Sequence, residues 1–280
     1  MQIPFTKAHG ARNDFLLTWR EQLPGHAGDD PAALARAICH RHAGAGADGW
    51  IVIAKANGHE SNNAHAAIEL WNSDGSRSEI SGNGTRCAAA LLVQNGLVES
   101  GKAGDEVRIA TGAGVKRLRL LERHGHLYCF EMNMGRAVIE DLHATLVPGR
   151  ECVILNVGNP QCAVFTADFE FDWRKMGAEL ERHRRFPHRT NVAFIRVVDE
   201  HALEVRFFER GAGETMSSGT GSTASAAAAL ARGLVRSPVR VLTPAGPLEL
   251  RLENDDLYLE GPAEIVAEGQ FYYESEKTKR

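Results

Sequence analysis

The chain has 280 residues, a formal net charge of −4, 43% hydrophobic residues and 24% charged ones. That length accommodates two domains of ordinary size. The mildly acidic balance argues against a nucleic-acid or membrane-surface partner, and no apolar run approaches the length of a membrane span. Cys39, Cys87, Cys129, Cys152 and Cys162 show no metal-ligand spacing and read as reduced, mostly buried thiols. The twelve histidines form no ligand triad, so no metal is expected. The opening Met1-Gln-Ile-Pro-Phe-Thr-Lys lacks the apolar region of a secretion signal, which makes the cytoplasm the expected location.

In chain order, residues 2–8 and 14–19 read as strands, with a polar turn at His9-Gly-Ala-Arg-Asn13-Asp. Asp30-Pro31 is an N-cap followed by proline, opening a helix to about His42. Gly44-Ala-Gly-Ala-Asp48-Gly is a turn into the strand Trp50-Ile-Val-Ile, and Ile68-Glu-Leu-Trp is a strand ending at Asn72. An alanine-rich helix is expected over 82–94, then strands at 106–110, 115–122 and 127–132. The pattern restarts near Cys152 with Val153-Ile-Leu-Asn-Val, the turn Gly158-Asn159-Pro160-Gln161 and the strand Cys162-Ala-Val-Phe. An amphipathic helix over 172–184 stops at Pro187, and strands follow at 190–197 and 203–208. A second alanine-rich helix spans about 219–232, then a strand at 239–243, a hairpin across Asn254-Asp-Asp, and Glu264-Ile-Val-Ala as the end of the sheet. Ser275-Glu-Lys-Thr-Lys-Arg reads as a frayed tail.

The two alanine-rich helices belong to one repeated unit. Asn72, Ser81, Gly82, Gly84, Gly96 and Leu97 recur 137 positions later as Glu209, Ser218, Gly219, Gly221, Gly233 and Leu234. Each copy is a Ser-Gly-X-Gly segment feeding a nearly uncharged helix, which predicts burial on all sides. Serine is a good N-cap, and helix N-terminal amides favour an anion. Two such ends predict one site shared by two similar halves. The fold class expected is α+β, with two pseudo-twofold-related domains, each a strand-rich barrel around a central helix. The expected division is 1–132 plus 267–280, and 133–266.

Several motifs in order resemble diaminopimelate epimerase and the wider family of cofactor-independent racemases, epimerases and phenazine-pathway isomerases. They are His9-Gly-Ala-Arg-Asn13-Asp-Phe, Gly46-Ala-Asp48-Gly, Asn72-Ser-Asp-Gly-Ser with Gly82-Asn-Gly-Thr-Arg-Cys, Gly158-Asn159-Pro160, Arg189-Thr-Asn191-Val, and Glu209-Arg210-Gly-Ala-Gly-Glu-Thr with Gly219-Thr-Gly. The resemblance runs nearly end to end. It implies an isomerase of amino-acid, specifically lysine, biosynthesis that needs no cofactor, acts on a small amino acid or carboxylate, and forms a homodimer. It also implies two thiols at the helix N-termini that exchange the substrate's α-proton. Both positions are serine here, Ser81 and Ser218. The histidine that assists one thiol is Gln161, and glycine is replaced by Arg12. Glu209, the other assistant, is retained. Gln161 and Arg12 depart alongside the serines, which favours natural divergence over a laboratory pair of substitutions.

The resemblance assigns Ser81, Ser218, Glu209 and Gln161 to catalysis. It assigns Asn13, Asn72, Asn159, Asn191 and Arg210 to gripping the substrate, with the backbone amides at Gly82, Asn83, Gly219 and Thr220 holding a carboxylate. Taken residue by residue, Ser81 and Ser218 also read as plain N-caps, Glu209-Arg210 as a surface ion pair, and the asparagines as turn formers. Cys87 and Cys162 read as packing, and His9 as a structural turn residue. Three functions remain open on the sequence: an epimerase with weakened two-base proton transfer, a different proton-shift isomerase with Glu209 as base, and a non-catalytic amino-acid or carboxylate binder.

Overall fold

Alternating apolar strands and tight turns organise the computed structural model, which describes residues 1–25, 29–55, 63–98 and 102–274. The tail from Ser275 lies outside the described residues. Contacts divide the chain into two units, Met1–Glu131 with Pro262–Arg280, and Met132–Gly261. Each is a strand-rich barrel around one buried helix, so the fold class is α+β.

The first unit begins with β1 (Gln2–Gly10), β2 (Asn13–Trp19), α1 (Pro31–Cys39), β3 (Gly49–Lys55), β4 (Ala66–Asn72), β5 (Arg77–Ser78) and α2 (Gly82–Gln94). It continues through β6 (Glu106–Thr111), β7 (Gly114–His124) and β8 (Leu127–Gly135). The second contains β9 (Val138–Val147), β10 (Arg150–Asn156), β11 (Pro160–Phe165), α3 (Trp173–Glu181), β12 (Asn191–Asp199), β13 (Ala202–Glu209), β14 (Gly213–Thr215) and α4 (Gly219–Ala231). After it come β15 (Val239–Thr243), β16 (Gly246–Glu253) and β17 (Asp256–Tyr272). The unit boundaries fall inside β8 and β17.

Pairing repeats between the units. β1–β2 and β10–β11 are antiparallel, β2–β3 and β11–β12 parallel, β3–β4 and β12–β13 antiparallel. The parallel pairs β4–β6 and β13–β15 then lead to the hairpins β6–β7 and β15–β16. In the first unit the last part of β17 closes onto β1, from Gln2 opposite Tyr272 to His9 opposite Glu264. In the second, β9 takes the corresponding place against β10.

Every residue of α2 from Gly82 to Val93 is buried, as is every residue of α4 from Gly219 to Ala229. Such helices need small residues where the wall comes close. A Cβ at Gly84 would meet Ile51 at 3.0 Å and Phe15 at 3.3 Å, and one at Gly221 would meet Phe207 at 2.8 Å. This explains the second glycine of each Ser-Gly-X-Gly. Against the outside of the strands pack α1, through Leu34 and Ile38 onto Trp50, and α3, through Trp173 and Leu180 near Phe194.

Several expected boundaries move. The first helix stops at Cys39 because His40 turns extended, φ −63° and ψ 121°, and its Nδ1 accepts the amides of His42 and Ala43. Helix α3 stops at Glu181, before Pro187 is reached. His9 lies in a strand, opposite Asp14 and Glu264, so it is no turn residue. The second half begins earlier than Cys152, with β9, whose largely exposed side chains leave little apolar alternation to read. Glu264-Ile-Val-Ala does not end the sheet, since β17 runs on to Tyr272 along β1.

The turn between β1 and β2 is only Ala11-Arg12, both left-handed at φ 49° and 60°. A two-residue hairpin of this hand favours glycine. Arg12 is exposed and sits in that conformation with a side chain. Beneath the hairpin, Lys7 Nζ donates to the Gly46 carbonyl at 2.6 Å and lies 3.1 Å from Asp14. Arg41 donates to both Asp14 oxygens at 3.2 and 2.8 Å and to Asp48 at 2.6 Å. Burial pushes the Asp14 carboxyl up, but the hydrogen bonds from Arg41 and Lys7 outweigh it and hold the pKa below the ordinary value.

Two predictions follow from this hairpin. Arg12→Gly should raise stability by about 1 kcal/mol in urea denaturation, by removing a side chain from a left-handed position; a loss of stability would mean Arg12 makes a compensating contact. Asp14 is lowered in the folded state, so its contribution is full above the ordinary carboxyl pKa of about 3.9 and is lost as pH falls through the lowered value. Asp14→Asn should therefore flatten the acid limb of a stability–pH curve, whereas an acid limb of unchanged slope would contradict the assignment.

Candidate active site

Burial of α2 and α4 leaves their first amides without solvent, and the serines satisfy part of that need. Ser81 is extended at φ −133°, ψ 123°, and its hydroxyl accepts the Gly84 amide at 3.1 Å. Ser218 adopts φ −138°, ψ 120°, and accepts the Gly221 amide at 3.1 Å. The backbone carbonyls of Ser81 and Ser218 accept the amides of Thr85 and Ser222 at 2.8 and 2.9 Å. Both helices end alike, with Gly96 and Gly233 at φ 66° and 67° and six-residue closures from Leu97 to Leu92 and Leu234 to Ala229. The two segments are therefore structural repeats, and both hydroxyl oxygens already serve as caps.

In the first unit, Asn83 at the second position of α2 donates through Nδ2 to Asn13 Oδ1 at 3.1 Å. Asn13 Nδ2 donates to Asp48 Oδ2 at 2.7 Å. Behind Asn83, the wholly buried Arg86 donates through Nη2 to Asn83 Oδ1 and through Nε to the Pro262 carbonyl at 3.1 Å. Burial pushes the Arg86 pKa down to about 10, which leaves it charged at neutral pH. Asn13, Ser81, Gly82 and Asn83 thus lie at one helix end. Asn72 lies in a tight turn, its Nδ2 donating to Ser76 Oγ at 2.9 Å; the Ser73 amide ties that turn to the Asp48 carbonyl at 3.0 Å.

In the second unit, Gln161 Nε2 donates to Asn159 Oδ1 at 2.7 Å, and Asn159 Nδ2 donates to Thr220 Oγ1 at 3.3 Å, beside Gly219 and Ser218. Gln161 is 1% exposed and its Oε1 is buried without a partner among the described residues. Asn191 Nδ2 donates to the Pro160 carbonyl at 3.1 Å, and Asn191 Oδ1 accepts the Arg210 amide at 3.0 Å. Glu209, half-buried, ends β13 opposite Gly213, with Arg210 exposed beside it. The Gln161–Asn159–Thr220 chain and the Asn191–Arg210 pair therefore share the β11 end.

Cys87, Cys152 and Cys162 are buried free thiols. Burial pushes Cys87 up to about 12 despite the neighbouring Arg86. Cys162 is raised well above the ordinary value because it donates its hydrogen to Cys152, and burial adds to this. Cys152 is lowered by the same hydrogen bond, but it is 2% exposed and lies between strands.

Sequence reasoning missed two groups. Arg86 is the lone charge in an otherwise uncharged buried helix, and that oddity was the available signal. Glu181 is 3% exposed, accepts the Gly211 amide at 2.9 Å, and lies 3.5 Å from Arg189 and 3.3 Å from Arg182. It pins the turn that carries Arg210, and nothing in its local sequence distinguishes it from an ordinary helix-surface glutamate.

The family profile described as diaminopimelate epimerase matches residues 5–140 and 153–266. The diaminopimelate epimerase of Pelotomaculum thermopropionicum is 34% identical, over 96% of this chain and 99% of the relative. That of Nostoc punctiforme is 36% identical, over 96% of this chain and 100% of the relative. Among solved structures, a hydroxyproline epimerase from Agrobacterium vitis superposes with a TM-score of 0.74 at 16% identity, covering 99% of this chain and 94% of that one. A phenazine biosynthesis protein of Bacillus anthracis gives 0.71 at 13% identity, covering 96% and 99%. These structures share the fold, and the sequence matches go further: this chain belongs to the diaminopimelate epimerase family.

Proposed function

We propose that the protein is a cofactor-independent isomerase acting on an amino acid or small carboxylate, with diaminopimelate as the substrate its relatives suggest and with weakened two-base proton transfer. The observation that carries this reading is the matched pair of serine-capped helix ends at the positions where the family resemblance implies thiols. The hydroxyls keep the caps but not the acidity. An aliphatic hydroxyl is a far weaker acid than a thiol, whose pKa is about 8.5. At about 1.36 kcal/mol per pKa unit, a full alkoxide would thus cost several kcal/mol more. Each serine oxygen also already accepts a backbone hydrogen bond, which lowers its readiness to take a proton.

The remaining roles follow the resemblance. Glu209 is the strong general base that the chain retains. Gln161 neither donates nor accepts a titratable proton, so it orients Asn159 instead of assisting an acid. Asn13, Asn72, Asn159 and Asn191 bind polar groups of the substrate, Arg210 pairs a carboxylate, and the amides of Gly82, Asn83, Gly219 and Thr220 receive an anion at the helix ends.

The test is solvent deuterium exchange at the α-carbon of LL-diaminopimelate, followed by NMR. The wild-type chain should exchange very slowly. Ser81→Cys with Ser218→Cys should accelerate exchange by at least about 100-fold, the usual scale of general acid–base catalysis, and adding Gln161→His should raise it again. Ordinary turnover by the wild-type chain, about 10 per second, would overturn the weakened-transfer reading. Ligand-induced thermal stabilisation without exchange in any variant would favour a binding protein.

A further inference from the structure

The polar chain at the start of α2 has a direction, and its two ends set it. A guanidinium only donates hydrogen bonds and a carboxylate only accepts them, whereas an asparagine amide does either according to which way it faces. Arg86 Nη2 donates to Asn83, so the Asn83 oxygen faces the arginine. The Asn83 NH2 is then turned to Asn13 and donates to its oxygen at 3.1 Å. That in turn leaves the Asn13 NH2 towards Asp48, where it donates at 2.7 Å. Reversing Asn83 alone would set its NH2 against the guanidinium and its oxygen against that of Asn13. Reversing Asn13 alone would set its oxygen against a carboxylate and its NH2 against another NH2.

Both ends are held. Arg86 is 0% exposed, and its Nε is anchored on the Pro262 carbonyl at 3.1 Å. Asp48 is fixed from the other side by Arg41 at 2.6 Å. Neither residue was assigned a role by its motif, and Arg86 is a buried charge whose hydrogen bonds go to an amide oxygen and a backbone carbonyl.

We infer that Arg86 and Asp48 are positioning residues that together fix the amide orientations of Asn83 and Asn13, so that Asn13, with the buried Asn83 as the link behind it, presents an N–H donor to a carboxylate of the substrate. The Asn13 NH2 carries two hydrogens, and the chain uses one of them. The opposite orientation would offer an oxygen and select an ammonium group. This end of the site therefore reads an acceptor, in keeping with the anion preference of the α2 amides and the charge of Arg86. The inference rests on the proposed contact of the Asn13 side chain with substrate.

The experiment uses the full chain, isotope-labelled for side-chain amide NMR, with LL-diaminopimelate as the binding probe. Arg86→Gln should shift the amide signals of Asn83 and also those of Asn13, which Arg86 does not touch. Arg86→Lys, still donor-only, should keep both near their wild-type positions. Asp48→Asn should shift both from the exposed end, and it serves as the second variant if Arg86→Gln does not fold. Affinity for diaminopimelate should fall about tenfold in Arg86→Gln and Asp48→Asn, the scale of one charge-assisted hydrogen bond, and recover in Arg86→Lys. Unmoved Asn13 signals in Arg86→Gln, or unmoved Asn83 signals in Asp48→Asn, would overturn the inference. So would equal affinity in all the variants. A wild-type chain that does not bind diaminopimelate would count against the functional reading, while the amide signals would still decide whether the directional chain exists.

Discussion

A helix enclosed on every side has no water to satisfy its first amides, and that constraint shapes both units. It requires a short polar cap, which Ser81 and Ser218 supply with nearly the same backbone angles. It requires a missing side chain two residues after the first helical position, where Ile51 and Phe15, or Phe207, press against the backbone. It also requires a run of alanines so that the strands can close around the helix at short range. Serine at these two positions suits this architecture because it is an adequate cap. The proton affinity of the capping group is a property on which the packing does not depend.

The two helix ends are alike in backbone and unlike in side chains. At the fifth helical position α2 carries Arg86 and α4 carries Thr223, whose hydroxyl returns to the Gly219 carbonyl at 2.8 Å. The first unit thus places a full charge behind its cap, and the second a neutral hydroxyl. The second end is organised from outside the helix, through Gln161 and Asn159 on β11 and through Asn191 and Arg210. A duplication that repeats the fold has in this way produced two different electrostatic environments.

Much of this was legible in the sequence because its physics is local. Ser-Gly-X-Gly, the alanine runs and the closing glycines specify the caps, the burial and the Schellman ends of α2 and α4. The helix ends at Cys39 and Glu181 were harder, since the His40 ring accepts the amides of the turn that follows the first and Arg182 ends the second without any breaker. Strand β9 was invisible for a different reason: with exposed residues at Val138, Ile139 and Glu140 it lacks the alternation that marks a half-buried strand. The directional chain was beyond reach because its members, at positions 13, 48, 83 and 86, lie in distant stretches of the sequence and meet only in the folded unit. Asn13 and Asn83 stand in recognisable motifs, whereas those motifs gave Asp48 and Arg86 no role.

The long final strand has a consequence for biosynthesis. Residues of β17 from Glu264 to Tyr272 supply the neighbour that β1 needs, and the Met1 amino group bonds the Tyr273 carbonyl. The first unit is therefore built from both extremities of the chain, whereas the second is one continuous stretch. On the ribosome the middle segment has all its strands in hand before the opening segment does. The N-terminal sheet must wait with an unpaired edge until β17 has been made, and an edge left open for that long is exposed to aggregation.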